Sequence, residues 1–264
     1  MLDRDDVSRT ARLVAACRAL DERVIRKPDL DGRALAGEEA LAHAAKLPAL
    51  VTGIALRTRW IDERVTGFAA DHDAAQVVLV GAGLDTRAWR LGLEGATFFE
   101  IDLPGMLAYK REKLAPAPRQ VLVAADLRVE RVAQVLAHAP GFDPARPICA
   151  VWEGVSYYLP EAAVGAVLDD LAAAIGARGL LLFDYVTARW VTAATRADAA
   201  IVSQVARWGE PMIFGFDDLA AALAAHGLEV VEDVATEDLL ARYGLPPATE
   251  RWYAGRMAAA RRRR

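Results

Sequence analysis

Two cysteines, four histidines, only four lysines among 32 basic residues and no long apolar run are the scarcities of this 264-residue chain. Cys17 and Cys149 cannot by themselves build a disulfide framework or a multi-cysteine zinc site. Both read as small buried hydrophobes in a reducing compartment, and no metal is expected. A membrane span needs about 18 or more uninterrupted apolar residues, and none is present. A basic excess is also missing: 32 basic against 36 acidic residues give a formal net charge of −4, which argues against a nucleic-acid footprint. The polar, acidic opening MLDRDDVSRT lacks the basic start and apolar core of a secretory signal, so a cytoplasmic location is expected. The four arginines from Arg261 to Arg264 read as a frayed, solvated tail.

Apolar residues are plentiful at 54%, against 26% charged, which is material for a core and excludes a disordered chain. The length suits a single α/β domain covering 1–264. Residues 1–75 read as an N-terminal helical cap. Leu13, Val14, Cys17 and Leu20 recur at helical spacing, as do Leu50, Ile54, Ile61, Val65 and Phe68, with Arg57, Asp62 and Arg64 on the opposite face of the second helix. The stretch Pro28–Gly32 reads as a turn.

From Gln76 the period changes. Val77–Val80 is a short apolar run closed by Gly81, as in a strand buried on both faces. Comparable runs follow at 97–101, 120–123, 148–152, 179–183 and 228–231, separated by helical segments. That alternation predicts a doubly wound, mostly parallel sheet, with residues 251–257 a candidate for a last antiparallel strand. Residues 186–215 interrupt the alternation after a late strand and read as a helical lid near the carboxyl edge. Trp190, Trp208, Met212 and Phe214 within it suggest a wall for a hydrophobic substrate, or simply packing onto the sheet.

Four strand ends carry chemistry. Gly81-Ala82-Gly83 lets backbone approach a ligand closely, or makes a tight turn without one. A dinucleotide fingerprint would continue with a third glycine where this chain has Thr86, which counts against a nicotinamide-dependent reductase. Glu100 and Asp102 end the second strand on one face. Asp102, nearer the carboxyl edge, is the candidate for a ribose, with helix capping before Leu103-Pro104 as the alternative. Asp126 and Leu127 end the third strand, placed for an adenine amino group and ring, or for an N-cap. Glu153 ends the fourth among Trp152, Tyr157 and Tyr158. A carboxylate there calls for a cation, either on a ligand or on an arginine.

VVLVGAGLDTRAWRL at 77–91, FFEIDLPGMLAYKREKL at 98–114, AADLR at 124–128 and WEGVSYYLPEA at 152–162 together resemble the leucine carboxyl methyltransferase family. SRTARLVAACRA and ALRTRWID resemble its upstream helices, so the likeness covers nearly the whole chain. It implies a class I methyltransferase with a seven-stranded, Rossmann-like sheet that uses S-adenosyl-L-methionine. By position it implies Arg57 on the methionine carboxylate and Gly81 in the backbone-contacting turn. Asp102 then falls on the ribose, Asp126 and Leu127 around the adenine, and Glu153 at the methionine amino end. A basic residue that eukaryotic members carry in the first helix is Ala11 here, between Arg9 and Arg12. That departure and the short chain favour the bacterial branch, which methylates carboxyl or hydroxyl groups of polyketides.

A carboxylate acceptor is ionised at neutral pH and needs orientation, not a base. Tyr157 and Tyr158 are candidates to orient it, with Arg9, Arg12 and Arg189 behind them. None of His43, His72, His138 and His226 sits in a motif, which leans towards a carboxylate. The expected partner is therefore a small-molecule acceptor. A protein that binds adenosylmethionine without transferring methyl, such as a cyclase-like catalyst or a ligand sensor, would keep the same cofactor positions.

Overall fold

A computed structural model describes residues 7–192, 199–247 and 255–263. Four helices lead the chain: α1 (Arg9–Leu20), α2 (Leu30–Ala36), α3 (Glu38–Ala44) and α4 (Pro48–Asp71). Ser8 starts α1 by accepting the Ala11 N–H at 2.9 Å. Asp29 does the same for α2, accepting from Gly32 N at 3.0 Å. The expected turn at 28–32 is thus the capped start of a helix, because the Asp29 side chain satisfies that first orphan donor. Pro48 occupies the first turn of α4, where its missing N–H costs nothing.

The sheet contains β1 (Gln76–Val80), β2 (Thr97–Asp102), β3 (Gln120–Ala124), β4 (Ile148–Trp152), β5 (Leu180–Tyr185), β6 (Leu228–Ala235) and β7 (Arg256–Arg262). Their order is β3-β2-β1-β4-β5-β7-β6, with β7 antiparallel to both its neighbours and the remaining pairs parallel. The connecting helices are α5 (Arg87–Arg90), α6 (Pro104–Lys113), α7 (Val132–Ala137), α8 (Glu161–Ile175), α9 (Ala188–Thr192), α10 (Ala199–Arg207), α11 (Leu219–Ala225) and α12 (Thr236–Arg242).

The period-two alternation of strand side chains divides the core. Val78, Val80, Phe99 and Trp152 face α8, where Val167 and Leu171 close the layer. Val77, Leu79, Phe98 and Cys149 face α4 through Trp60, Ile61 and Val65. A third cluster, including Cys17 and Leu35, joins α1 to α3. Both cysteines are buried free thiols, as the composition suggested.

Two expectations change. The last strand begins at Arg256, and Arg251–Ala254 lie outside the described residues. Arg261 and Arg262 are strand residues rather than tail. Arg261 lies opposite Glu229 across the β6–β7 ladder and donates to its carboxylate at 2.5 Å. Arg264, like residues 193–198 of the expected lid, lies outside the described residues.

Candidate functional site: a cavity at the switch point of the sheet

Strand order reverses between β1 and β4, and at such a point the loops leaving the carboxyl ends diverge and open a crevice. Here a cavity of about 370 Å³ lies between those loops and the start of α1. Gly81 and Gly83 leave β1 with φ of +67° and +50°, a region costly for L side chains. A Cβ on Gly81 would stand 2.5 Å from Val155 Cγ2, so only glycine lets the two loops meet. Thr86, at the third-glycine position, is buried and donates from its hydroxyl to Asp29 at 2.7 Å. Its side chain is thus tied to the start of α2, and α5 behind it is only four residues long.

Asp102 ends β2 beneath this turn and lines the cavity. One carboxylate oxygen accepts Gly83 N–H at 2.5 Å and the other accepts Leu103 N–H at 2.7 Å. Each oxygen retains acceptor capacity for a ligand hydroxyl. Burial pushes its carboxyl above the ordinary value, opposed by the two backbone bonds and by Lys110. Glu100, on the same strand face, is instead spent on Lys110 at 2.5 Å and Gln120 at 2.8 Å.

Asp126 and Leu127 line the cavity at the end of β3. The Asp126 carboxylate is gripped by Arg128, whose Nε and Nη2 donate at 2.7 and 2.6 Å. Asp126 also accepts the Arg128 backbone N–H at 3.1 Å, which closes a local turn. It does not cap the next helix, because α7 starts only at Val132 behind Arg131, so of the two expectations the position on the cavity wall remains.

Glu153 ends β4 inside a buried charge network. Arg57 Nε lies 2.7 Å from one of its oxygens, and Arg87 Nη1 donates to the other at 2.6 Å. Arg57 also reaches Asp184 at 2.8 Å, while Arg87 reaches Asp62 at 2.7 Å and also Asp85. Two of the three residues expected on the polar face of α4 are therefore buried: Arg57 and Asp62 point inward because this network satisfies them, and Arg64 alone stays towards the surface, stacked on Trp60. Burial alone would raise the Glu153 carboxyl, but Arg87, then Arg57 and Arg18, hold it well below the carboxylate range. The cations that its setting demanded are thus Arg57 and Arg87, and the Arg57–Glu153 pair forms part of the cavity wall.

Tyr157 and Tyr158 follow in a 3-10 turn, rings edge to face at 4.7 Å, and both line the cavity. The Tyr157 hydroxyl donates towards Asp184 at 3.4 Å. Burial, then Tyr157 and Glu210, keep the Tyr158 phenol well above its usual value, so it stays protonated.

Several sequence candidates lie elsewhere. Arg9 and Arg189 are exposed, and Arg12 stands over the Tyr109 ring at 4.8 Å. No histidine among the described residues lines the cavity. Trp190, Trp208, Met212 and Phe214 are not in its wall either. Trp208 packs edge-on to His43, and Phe214 to Phe216 at 4.9 Å, so these rings hold the insertion onto the body of the protein. Their neighbours Gly209, Glu210, Pro211 and Ile213 supply the wall instead.

Sequence reading missed Ser8, Thr10, Arg18 and Glu210. Arg18 shares a helix face with Ala11 and Val14, a recognisable signal. Glu210 meets Ser8 across 202 positions, and no local pattern announces that.

A reversing parallel sheet, a glycine turn and an acidic second-strand end together define a Rossmann-like nucleoside-binding architecture. The chain belongs to the leucine carboxyl methyltransferase family, whose model matches residues 11–172. A relative in Mycolicibacterium vanbaalenii, named by inference as an S-adenosyl-L-methionine-dependent methyltransferase, is 31% identical over 82% of this chain and 74% of its own. A Streptomyces avermitilis relative of the same description is 36% identical over 79% and 75%. Among solved structures, a DUF574 family protein from Streptomyces avermitilis superposes with a TM-score of 0.64 at 18% identity, covering 98% of both chains. At that identity the likeness concerns the fold.

Proposed function

We propose that the cavity binds S-adenosyl-L-methionine and that the chain is an O-methyltransferase for a small, hydrophobic, polyketide-like acceptor. The observation that carries this reading is the cavity's polarity. Asp102, a hydroxyl-accepting carboxylate, lies under the glycine turn, and a buried arginine–carboxylate pair, Arg57 and Glu153, belongs to the same wall.

The cradle fits the group. Gly81 admits the close backbone approach that a side chain there would block. Asp102 takes the ribose hydroxyls, while Asp126, held by Arg128, faces the adenine amino group and Leu127 flanks the ring. The amino-acid end is a zwitterion, and Arg57 with Glu153 matches it charge for charge: carboxylate to guanidinium, ammonium to carboxylate. Arg87 keeps Glu153 ionised and aimed. The bound group supplies an electrophilic methyl carbon and departs as a neutral thioether. What remains for the protein is positioning, for which the start of α1 and the strand-end loops supply the walls. Residues 1–75 then act as a cap and 186–215 as a lid whose 209–213 strap closes the acceptor side.

Calorimetric titration with S-adenosyl-L-methionine and S-adenosyl-L-homocysteine tests this. Saturable binding to the wild type, lost in Asp102→Ala and Arg57→Ala while both variants stay folded, is the expected result. A folded wild type that binds neither compound overturns the reading.

A further inference from the structure

We propose that Glu210 accepts the proton of the methyl acceptor, and that the acceptor is therefore a hydroxyl compound rather than a carboxylate; this rests on the methyl-transfer reading above. The charges of the cavity wall point there. Three arginines line it, and each already faces a carboxylate: Arg18 meets Asp29, Arg57 meets Glu153 and Asp184, and Arg128 meets Asp126. Among the acids, Asp85 and Glu153 are matched by Arg87. Two lining carboxylates have no ion-pair partner among the described residues, Asp102 and Glu210. Asp102 is taken by the ribose, which leaves Glu210 for the acceptor.

Glu210 is 9% exposed, and its oxygens accept from Ser8 Oγ at 2.8 Å and Thr10 N at 3.4 Å. A carboxylate offers about four acceptor sites, so about half its capacity is still open. A buried carboxylate without a cation is costly, and a ligand O–H relieves that cost. The strap also ties Glu210 to the aromatic pair, because Ile213 N donates to Tyr157 O at 2.7 Å. A carboxylate acceptor would instead meet Glu210 and two tyrosines, because Arg57 is given over to the carboxylate of the cofactor and Arg18 and Arg128 face Asp29 and Asp126.

Atoms and charge balance in this scheme. The acceptor oxygen forms its bond to the methyl carbon as the carbon–sulfur bond breaks. The electron pair of that bond goes to sulfur, and the acceptor proton passes to Glu210. No further reactant is needed.

The test uses the full chain saturated with S-adenosyl-L-homocysteine, whose own affinity is measured first. If that compound fails to bind the wild type, the methyl-transfer reading has failed, and this inference with it. On the loaded protein, 2-naphthol and 2-naphthoate are then titrated by fluorescence. The wild type is expected to favour naphthol. Glu210→Gln should bind it about tenfold more weakly, the scale of a hydrogen bond to a charged group, and should gain affinity for naphthoate. Homocysteine-compound affinity should be unchanged in the variant, and Glu210→Asp, which keeps the charge, should retain the preference for naphthol. If Glu210 serves only to clamp the start of α1, both probes weaken alike. That result, equal or tighter naphthoate binding by the wild type, or binding of neither probe overturns the proposal.

Discussion

Replacing Arg87 with Met separates the charge network from the packing around it. The guanidinium is 1% exposed and serves three carboxylates: Asp62 at 2.7 Å, Glu153 at 2.6 Å and Asp85. Met keeps much of the stem volume and removes the charge. Asp62 retains Arg90, and Glu153 retains Arg57, but Asp85 is left with the backbone N–H of residue 87 at 2.7 Å. Removing one partner of a buried ion pair costs about 3–5 kcal/mol, so a deficit of that order is expected in urea unfolding at pH 7.

The deficit should also depend on pH. Glu153 and Asp85 are both held below their ordinary values, each against a burial effect that raises it, with Arg87 the largest opposing cause. A carboxyl depressed by folding contributes stability above its unfolded value, roughly 4, and loses it as the pH falls further. The wild type therefore loses stability through this acid range. The variant has less to lose, so the gap between the two narrows on acidification. Asp102 and Glu100, raised by burial, move stability the opposite way, but alike in both proteins. A deficit under about 1 kcal/mol at pH 7, far short of the buried-pair range, or a gap that widens towards pH 4 refutes the reasoning.

Further outcomes follow from the same geometry. Gly81→Ala should lose about 1–2 kcal/mol for its left-handed backbone and roughly 1–3 more for the overlap with Val155. Adding Val155→Ala should restore only the overlap part, and chemical denaturation of the single and double variants separates the two contributions. Cys17 and Cys149 are fully buried, and burial raises both thiols to about 12, so neither should react with a thiol reagent until the chain unfolds. Fast labelling of the native protein at neutral pH contradicts that placement.

The sheet was legible because its strands are buried on both faces and announce themselves as unbroken apolar runs, as at Val77–Val80 and Ile148–Trp152. The turn at Gly81-Ala82-Gly83 and the acids at the strand ends were legible for a related reason, since their positions follow from strand ends alone. Periodicity alone put Arg57 on the polar face of α4, because a helical wheel counts polarity and cannot see that Glu153 and Asp184 await it from other elements; only the family resemblance pointed it towards the site. The start of α2 was hidden by residues common to turns and N-caps alike, Asp29 above all. On composition the rings of the insertion suited a substrate wall or packing onto the sheet equally; Trp208 and Phe214 pack, and the wall comes from the less conspicuous Gly209, Glu210, Pro211 and Ile213. Glu210 was illegible because its partners, Ser8 and Thr10, lie at the other end of the chain.

A crystal structure of this chain grown with S-adenosyl-L-homocysteine tests the central assignment most directly. The ribose hydroxyls should lie within hydrogen-bond distance of Asp102, the adenine beside Leu127, and the amino-acid end against Arg57 and Glu153. A ligand bound outside this cavity, or within it but with the ribose away from Asp102, contradicts the assignment.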